Sequence, residues 1–137
     1  MIDGGVETAK IAPLVQRWWL VAGTALLALV IWGSLTPTPP HIEMPVPQFD
    51  KVEHITAYLL ITAWFSAAYP KRWSWIVLGA VLLGGAIEIA QGYTGRDPDW
   101  FDWFADCLGA ALGAWYPARW VLSLRLAFAA SYVRRHP

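Results

Sequence analysis

The stretch DKVEHITAYLLITAWFSAAYPKR, residues 50–72, contains one whole structural unit of this chain. It opens on ionisable residues, runs through an apolar middle and stops at Pro70 before two bases, Lys71 and Arg72. The apolar part, Lys51 to Tyr69, is close to the ~20 residues a helix needs to cross a ~30 Å hydrocarbon layer. Working outward, the pattern recurs at Arg17 to Leu35, Trp73 to Gln91 and Asp99 to Tyr116. Each stretch ends on residues that stop a helix: Pro37, Pro39 and Pro40, then Pro70, then Gly92 and Gly95, then Pro117. The expected fold is an all-α, four-helix transmembrane bundle with short loops. The expected organisation is an N-terminal tail over residues 1–16, a membrane domain over 17–117 and a basic tail over 118–137. The first stretch is longer than a signal-peptide core and three more follow it, so a retained span is expected there. From Ala118 to Val133 bases alternate with apolar residues, which predicts an amphipathic segment lying along a membrane surface.

Composition agrees with a bilayer as solvent: 57% of the 137 residues are hydrophobic, 15% are charged, and the net charge is zero. That balance argues against a nucleic-acid partner, which wants a basic surface. The signs are segregated, however. Lys10, Arg17, Lys71, Arg72, Arg119, Arg125, Arg134 and Arg135 fall at one set of junctions, and only Lys51 and Arg96 fall at the other. The positive-inside rule then places both termini in the cytoplasm, and the junctions Thr36 to Asp50 and Gly92 to Pro98 outside. Trp18, Trp19, Trp73, Trp75, Trp115 and Trp120 mark the inner interface, with Trp32, Trp100 and Trp103 nearer the outer one. Cys107, the single cysteine, sits in an apolar run and reads as a small packing residue.

Some outer ionisable residues have plain structural roles. Asp50 with Glu53 reads as a capping box, Asp97-Pro98 as an N-cap followed by proline at the first helical position, and Asp99 as a first-turn acid favoured by the helix dipole. Lys51, His54, Tyr58, Glu88, Gln91, Arg96, Asp102 and Asp106 remain. Lys51, His54 and Tyr58 fall at i, i+3 and i+7, as do Asp99, Asp102 and Asp106, so each set forms a stripe on one helix face. The second stripe continues through Gly109 and Gly113, a small-residue pattern that lets a neighbouring helix approach closely. Gly84 and Gly85 offer either a similar notch or a kink.

The motifs Asp50-Lys51-x-x-His54-x-x-x-Tyr58, Glu88-x-x-Gln91, Gly95-Arg96 and Asp102-x-x-x-Asp106-x-x-Gly109-x-x-x-Gly113 resemble the VanZ-like family of small bacterial membrane proteins. The resemblance runs from Gln48 to Gly113; the first span is similar only in kind. It implies four spans in the bacterial cytoplasmic (inner) membrane and a role in the cell envelope, because the family takes its name from a protein linked to low-level resistance to teicoplanin, a glycopeptide antibiotic. It supplies no reaction. Where that family most often carries asparagine, this chain has Asp106, which suits a cation or a shared proton between Asp102 and Asp106.

Several readings of the outer residues stand side by side. In the first, a polar pocket at the outer face binds or processes the headgroup of an envelope lipid or lipid-linked precursor. His54, Glu88 and Asp102 are its candidate catalytic residues, and Lys51, Tyr58, Gln91, Arg96 and Asp106 its candidate ligand-binding residues. Lys51 and Arg96 would clamp a phosphate, although the surplus of carboxylates suits a hydroxyl-rich or amine-bearing headgroup better. In the second, the charges form an ion-pair network that locks the helices, and the protein serves as a structural or interaction partner of an envelope complex. In the third, His54, Glu88, Asp102 and Asp106 hold zinc or manganese. A proton relay or transport path is the weakest, because the inner halves of the spans show no matching polar stripe. The proline-rich loop with His41 and Glu43 reads as a stiff spacer or lid. The sequence names no cofactor and leaves enzymatic turnover open.

Overall fold

In the computed structural model, which describes residues 4–36, 49–95, 97–115 and 117–135, every described element is helical. The first helix, α1 (Gly4–Leu35), is 32 residues long. It begins well before Arg17, because the preceding residues include good helix formers such as Glu7, Ala9 and Lys10. Pro13 forfeits one backbone hydrogen bond within α1 without ending it. Helix α2 (Phe49–Ala68) stops at Pro70, where the chain turns through one 3₁₀ turn, Pro70–Arg72, into α3 (Trp73–Thr94). Helix α3 runs through Gly92 and ends at Gly95, whose φ of 81° is the left-handed conformation that a glycine C-cap adopts most easily; its N–H donates to the Gln91 carbonyl. Helix α4 (Trp100–Trp115) and helix α5 (Pro117–Arg135) follow. Pro117 starts α5, a place where its missing N–H costs nothing.

Successive helices α1 to α4 run up and down, so two ends of the bundle collect different residues. At one end Lys51 of α2 meets Asp99 and Asp102 at the start of α4, and Gln91 of α3 reaches Ser34 of α1. At the other, Arg125 of α5 donates to the carbonyls of Ala67 (2.9 Å) and Ala68 (3.3 Å) at the end of α2 and also reaches Gln16 of α1. These are the acidic end and the basic end. The basic tail thus forms a helix folded back onto the bundle, and Arg125 satisfies carbonyls that the last turn of α2 leaves without partners.

Helix α2 is central and packs on all four others. Its closest neighbour is α4, and the reason is written in glycine: a Cβ at Gly109 or Gly113 would strike the backbone carbonyl of Ile55 or Leu59. On α3, Gly84 makes room for the Asp106 carboxylate and Gly85 for the Trp103 ring, whose Nε1 donates to the Val81 carbonyl at 3.0 Å. The pair is therefore a packing notch in a continuous helix. Helix α1 is clasped to α2 by Trp19 and Trp64, stacked with centroids 4.1 Å apart, each indole N–H donating to the other residue's carbonyl. Gly23 gives Trp64 the space to lie there.

The core mixes apolar residues such as Tyr58, Ile61 and Ile87 with polar ones, and much of the exterior is apolar. Thr62, Ser66, Glu88, Gln91, Asp102 and Asp106 are buried, while Trp18, Leu29, Leu60, Leu82, Phe101 and Leu108 are exposed. Two helical segments, Pro13–Leu35 and Pro70–Thr94, are long and apolar enough to cross a membrane. Helices α2 and α4 fall short of the same measure. The first begins with Asp50, Lys51, Glu53 and His54, and the second has only 16 residues, about 24 Å at ~1.5 Å per residue.

Candidate functional site

The glycine contact between α2 and α4 brings the two polar stripes face to face. Lys51 Nζ donates to Asp50 Oδ2 (2.8 Å), Asp99 Oδ2 (2.6 Å) and Asp102 Oδ1. One turn deeper, His54 Nδ1 lies 2.8 Å from Asp106 Oδ1, and its Nε2 lies 3.5 Å from Asp102 Oδ2. Asp102 therefore touches both the ammonium and the imidazole. Helix α3 adds Glu88, which is 0% exposed; its Oε2 accepts the backbone N–H of Asp99 at 2.8 Å, and its Oε1 has no partner among the described residues. Tyr58, 1% exposed, sets its hydroxyl beside the Asp106 carboxylate.

Asp99 does three jobs at this junction. It lies just ahead of α4, where its Oδ1 accepts the Phe101 N–H (2.8 Å), its Oδ2 holds Lys51 and its own N–H binds Glu88. Lys51 holds the Asp99 carboxyl below its ordinary range. Asp99, not Asp97, is thus the N-cap: the helix starts at Trp100, two residues later than the Asp97-Pro98 pattern predicts, and Asp97 is exposed. The capping box at Asp50 and Glu53 is likewise corrected. Helix α2 already includes Phe49, so Asp50 sits inside the first turn with its carboxylate on Lys51, and Glu53 is exposed.

Of the residues singled out from sequence, Lys51, His54, Tyr58, Glu88, Asp102 and Asp106 come together at the acidic end. Gln91 is buried but turned away, its Nε2 donating to the Ser34 carbonyl at 3.0 Å, so it ties α3 to the end of α1. Arg96 lies outside the described residues, as do His41, Glu43 and the proline-rich loop. Asp99 is the site residue that sequence reading underrated. Its i, i+3 spacing to Asp102 was the available signal, since it already placed Asp99 on the same face as the site acids.

The arrangement limits the chemistry. Lys51 is saturated by three carboxylates and is not free to clamp a phosphate. Asp50, Asp99 and Asp102 form the one acidic grouping among the described residues whose ligand atoms, within 4.8 Å of one another, could hold a metal ion, and Lys51 Nζ bonds to all three. The expected set of His54, Glu88, Asp102 and Asp106 is not so arranged: His54 is engaged with both aspartates and one Glu88 oxygen is taken by the Asp99 amide. The cluster is open at its rim, where the Asp50 and Asp99 side chains are 56% and 40% exposed, and closed at its inner end, where Asp106 is 1% exposed. A groove of about 530 Å³ lies instead toward the basic end, walled by Ser66, Trp73, Val77, Ala114, Trp115 and Leu122 among others. Among the described residues, five carboxylates (Asp50, Glu88, Asp99, Asp102 and Asp106) face one ammonium and one imidazole, and what stays unpaired is an acceptor, Glu88 Oε1. Such a site can take up a hydrogen-bond donor or a proton. Set against known protein families, curated proteins and solved structures, the chain matches none.

Proposed function

We propose that this chain is a four-span, VanZ-like protein of the bacterial inner membrane, with both termini cytoplasmic, whose acidic end faces outward and binds an amine- or hydroxyl-bearing headgroup of a cell-envelope lipid or precursor. The apolar exterior around a polar interior supports a bilayer setting for α2 and α4 as well, because α2 is enclosed by its neighbours and α4 presents Phe104, Leu108 and Leu112 outward. Lys71 and Arg72 of the 3₁₀ turn and Arg125 of α5 lie at the opposite end from the carboxylates, which fits the positive-inside orientation. The C-terminal helix, docked through Arg125, lies on the cytoplasmic side.

One observation carries the headgroup reading: a fully buried carboxylate oxygen, Glu88 Oε1, stands without a partner in a site where, among the described residues, acids outnumber cations. A buried acceptor left unsatisfied costs about 1–3 kcal/mol, and a ligand ammonium or hydroxyl would recover it. His54, held between Asp102 and Asp106, would exchange the proton. A link to glycopeptide resistance follows from the family resemblance alone. The test is native mass spectrometry of the protein from its own membranes in mild detergent, wild type beside Glu88→Gln. A specific adduct present in wild type and lost in the variant is expected; identical lipids on both would refute the reading. A second reading, a purely structural ion-pair lock, is favoured by the three carboxylates on Lys51. Under it, Glu88→Gln and His54→Ala lose only stability in detergent.

A further inference from the structure

We infer that the groove near the basic end seats an anionic phospholipid, its phosphate on Lys71 and Arg72 and the first part of one acyl chain between α3 and α4; the inference rests on the membrane reading above, not on the outer headgroup site. The groove, about 530 Å³, lies between Trp73 and Val77 of α3 and Ala111, Ala114 and Trp115 of α4, with Leu122 of α5 beside it. That volume falls within the ~300–1,000 Å³ typical of ligand pockets. Trp73 and Val77 are one turn apart, as are Trp115 and Ala111, so the groove runs about 6 Å along the bundle from the two tryptophans inward. Alanines on α4 leave the hollow where larger side chains would close it.

The mouth of the groove is cationic. Pro70 lines it as well, and Lys71 and Arg72 are the two residues between Pro70 and Trp73, so both long side chains have the mouth within reach. Both are exposed, and neither side chain makes a hydrogen bond or ion pair among the described residues. That sets them apart from Lys51, held by three carboxylates, and from Arg125, engaged with Ala67, Ala68 and Gln16. The first turn of α3 has no acid and no side-chain cap, so nothing there competes with a phosphate for the two bases. The carboxylates of the acidic cluster lie at the opposite end.

The tryptophans fit the same ligand. Trp19, Trp64 and Trp103 each donate the indole N–H to a carbonyl within the bundle. Trp73 and Trp115 are 55% and 75% exposed, and their indoles have no such partner among the described residues. They flank the groove at the level where indoles meet the glycerol and ester oxygens of a bilayer. A soluble anion would use the bases and leave the apolar walls bare, and a neutral lipid would fill the walls and leave two cations without a counter-charge. An anionic phospholipid satisfies both, and basic pockets between helices on the cytoplasmic side are where such headgroups bind. A second copy in the same orientation presents its acidic cluster only at the opposite end, so it does not supply that charge.

The experiment titrates the full chain, in micelles of a nonionic detergent, with phosphatidic acid or with phosphatidylcholine of the same acyl chains, and reads bound lipid by native mass spectrometry. Phosphatidic acid is chosen because it brings no amine or alcohol for the outer site. Wild type should bind it about 25-fold more tightly than phosphatidylcholine, about fivefold for each base. Lys71→Gln combined with Arg72→Gln should bring it down to the phosphatidylcholine level. Arg134→Gln, at an exposed base about 18 Å further along α5 than Leu122, should change nothing. Ala114→Leu, which fills the groove without touching a charge, should weaken both lipids. Equal binding of the two lipids by wild type overturns the site, as does a preference that survives the double substitution or falls equally with Arg134→Gln. Unchanged binding in Ala114→Leu also overturns it, leaving a basic surface with no seat for a chain. The double variant should keep the adduct that Glu88→Gln loses, which separates this site from the outer one. Wild-type protein stripped from its membranes by an alkaline wash overturns the membrane reading and the site together.

Discussion

Gly109→Ala is the substitution that best tests how the acidic cluster is assembled. The added methyl would meet the backbone of Ile55, with its Cα and carbonyl carbon both 3.0 Å away and its oxygen nearer still. Backbone cannot rotate aside as a side chain can, so α2 and α4 must move apart by about half an ångström or more to reach ordinary contact. Ile55 directly follows His54, and Gly109 lies one turn after Asp106, so the separation acts on the His54–Asp106 contact at 2.8 Å and on the Lys51–Asp102 pair. Overpacking of this kind costs about 1–3 kcal/mol, and stretching a buried ion pair adds to it. The control is Gly79→Ala, at an exposed glycine of α3 where an added Cβ meets nothing within 4 Å. It should be neutral or stabilising by up to about 1 kcal/mol through helix propensity. Equilibrium unfolding in mixed micelles compares the two, with the His54 ring followed by NMR. If Gly109→Ala matched Gly79→Ala in stability and left the His54 resonances in place, the glycine contact would not be what positions the cluster.

Lys51→Met should turn the Asp50, Asp99 and Asp102 carboxylates into a divalent-cation site, because their oxygens already lie within 4.8 Å of one another around the ammonium. Calorimetry with calcium or manganese should show binding in the variant and none at this position in wild type. Arg125→Ala should cost about 1.5–3 kcal/mol, the worth of hydrogen bonds to a charged group, and free α5 to proteolysis in mild detergent; protection equal to wild type would mean that α5 docks without it. Asp99 has its carboxyl held below its ordinary value of 3.8 by Lys51. A depressed value in the folded state means that the cap stabilises fully above about pH 4 and is lost as pH falls through the lower folded value. The Phe101 amide resonance should therefore shift only below 3.8, and a midpoint at or above it would refute the Lys51 contact.

Local pattern carried much of the fold and part of the site. Apolar runs and their proline and glycine stops located the helices, and the Gly109–Gly113 spacing announced a close neighbour, though only the structure names it as α2. What the sequence hid depends on contacts between distant residues. Nothing in Asp97-Pro98-Asp99 says which aspartate caps α4 until Lys51 arrives from 48 residues earlier. Arg125 looks like one base among several in a basic tail, and only folding back of α5 puts it on the last carbonyls of α2. Gln91 shared the spacing of a site residue, yet its partner is a carbonyl of α1.

The Trp19–Trp64 clasp has an optical consequence. Two indoles 4.1 Å apart are close enough for their transition dipoles to couple, so the pair should contribute to the ultraviolet circular dichroism an exciton signature that Trp64→Phe removes. Helix α1 is otherwise little buried, and the clasp is one of its few hydrogen-bonded ties to the bundle. The signature is thus a built-in gauge of whether the first helix is docked, readable without a label in detergent or in lipid.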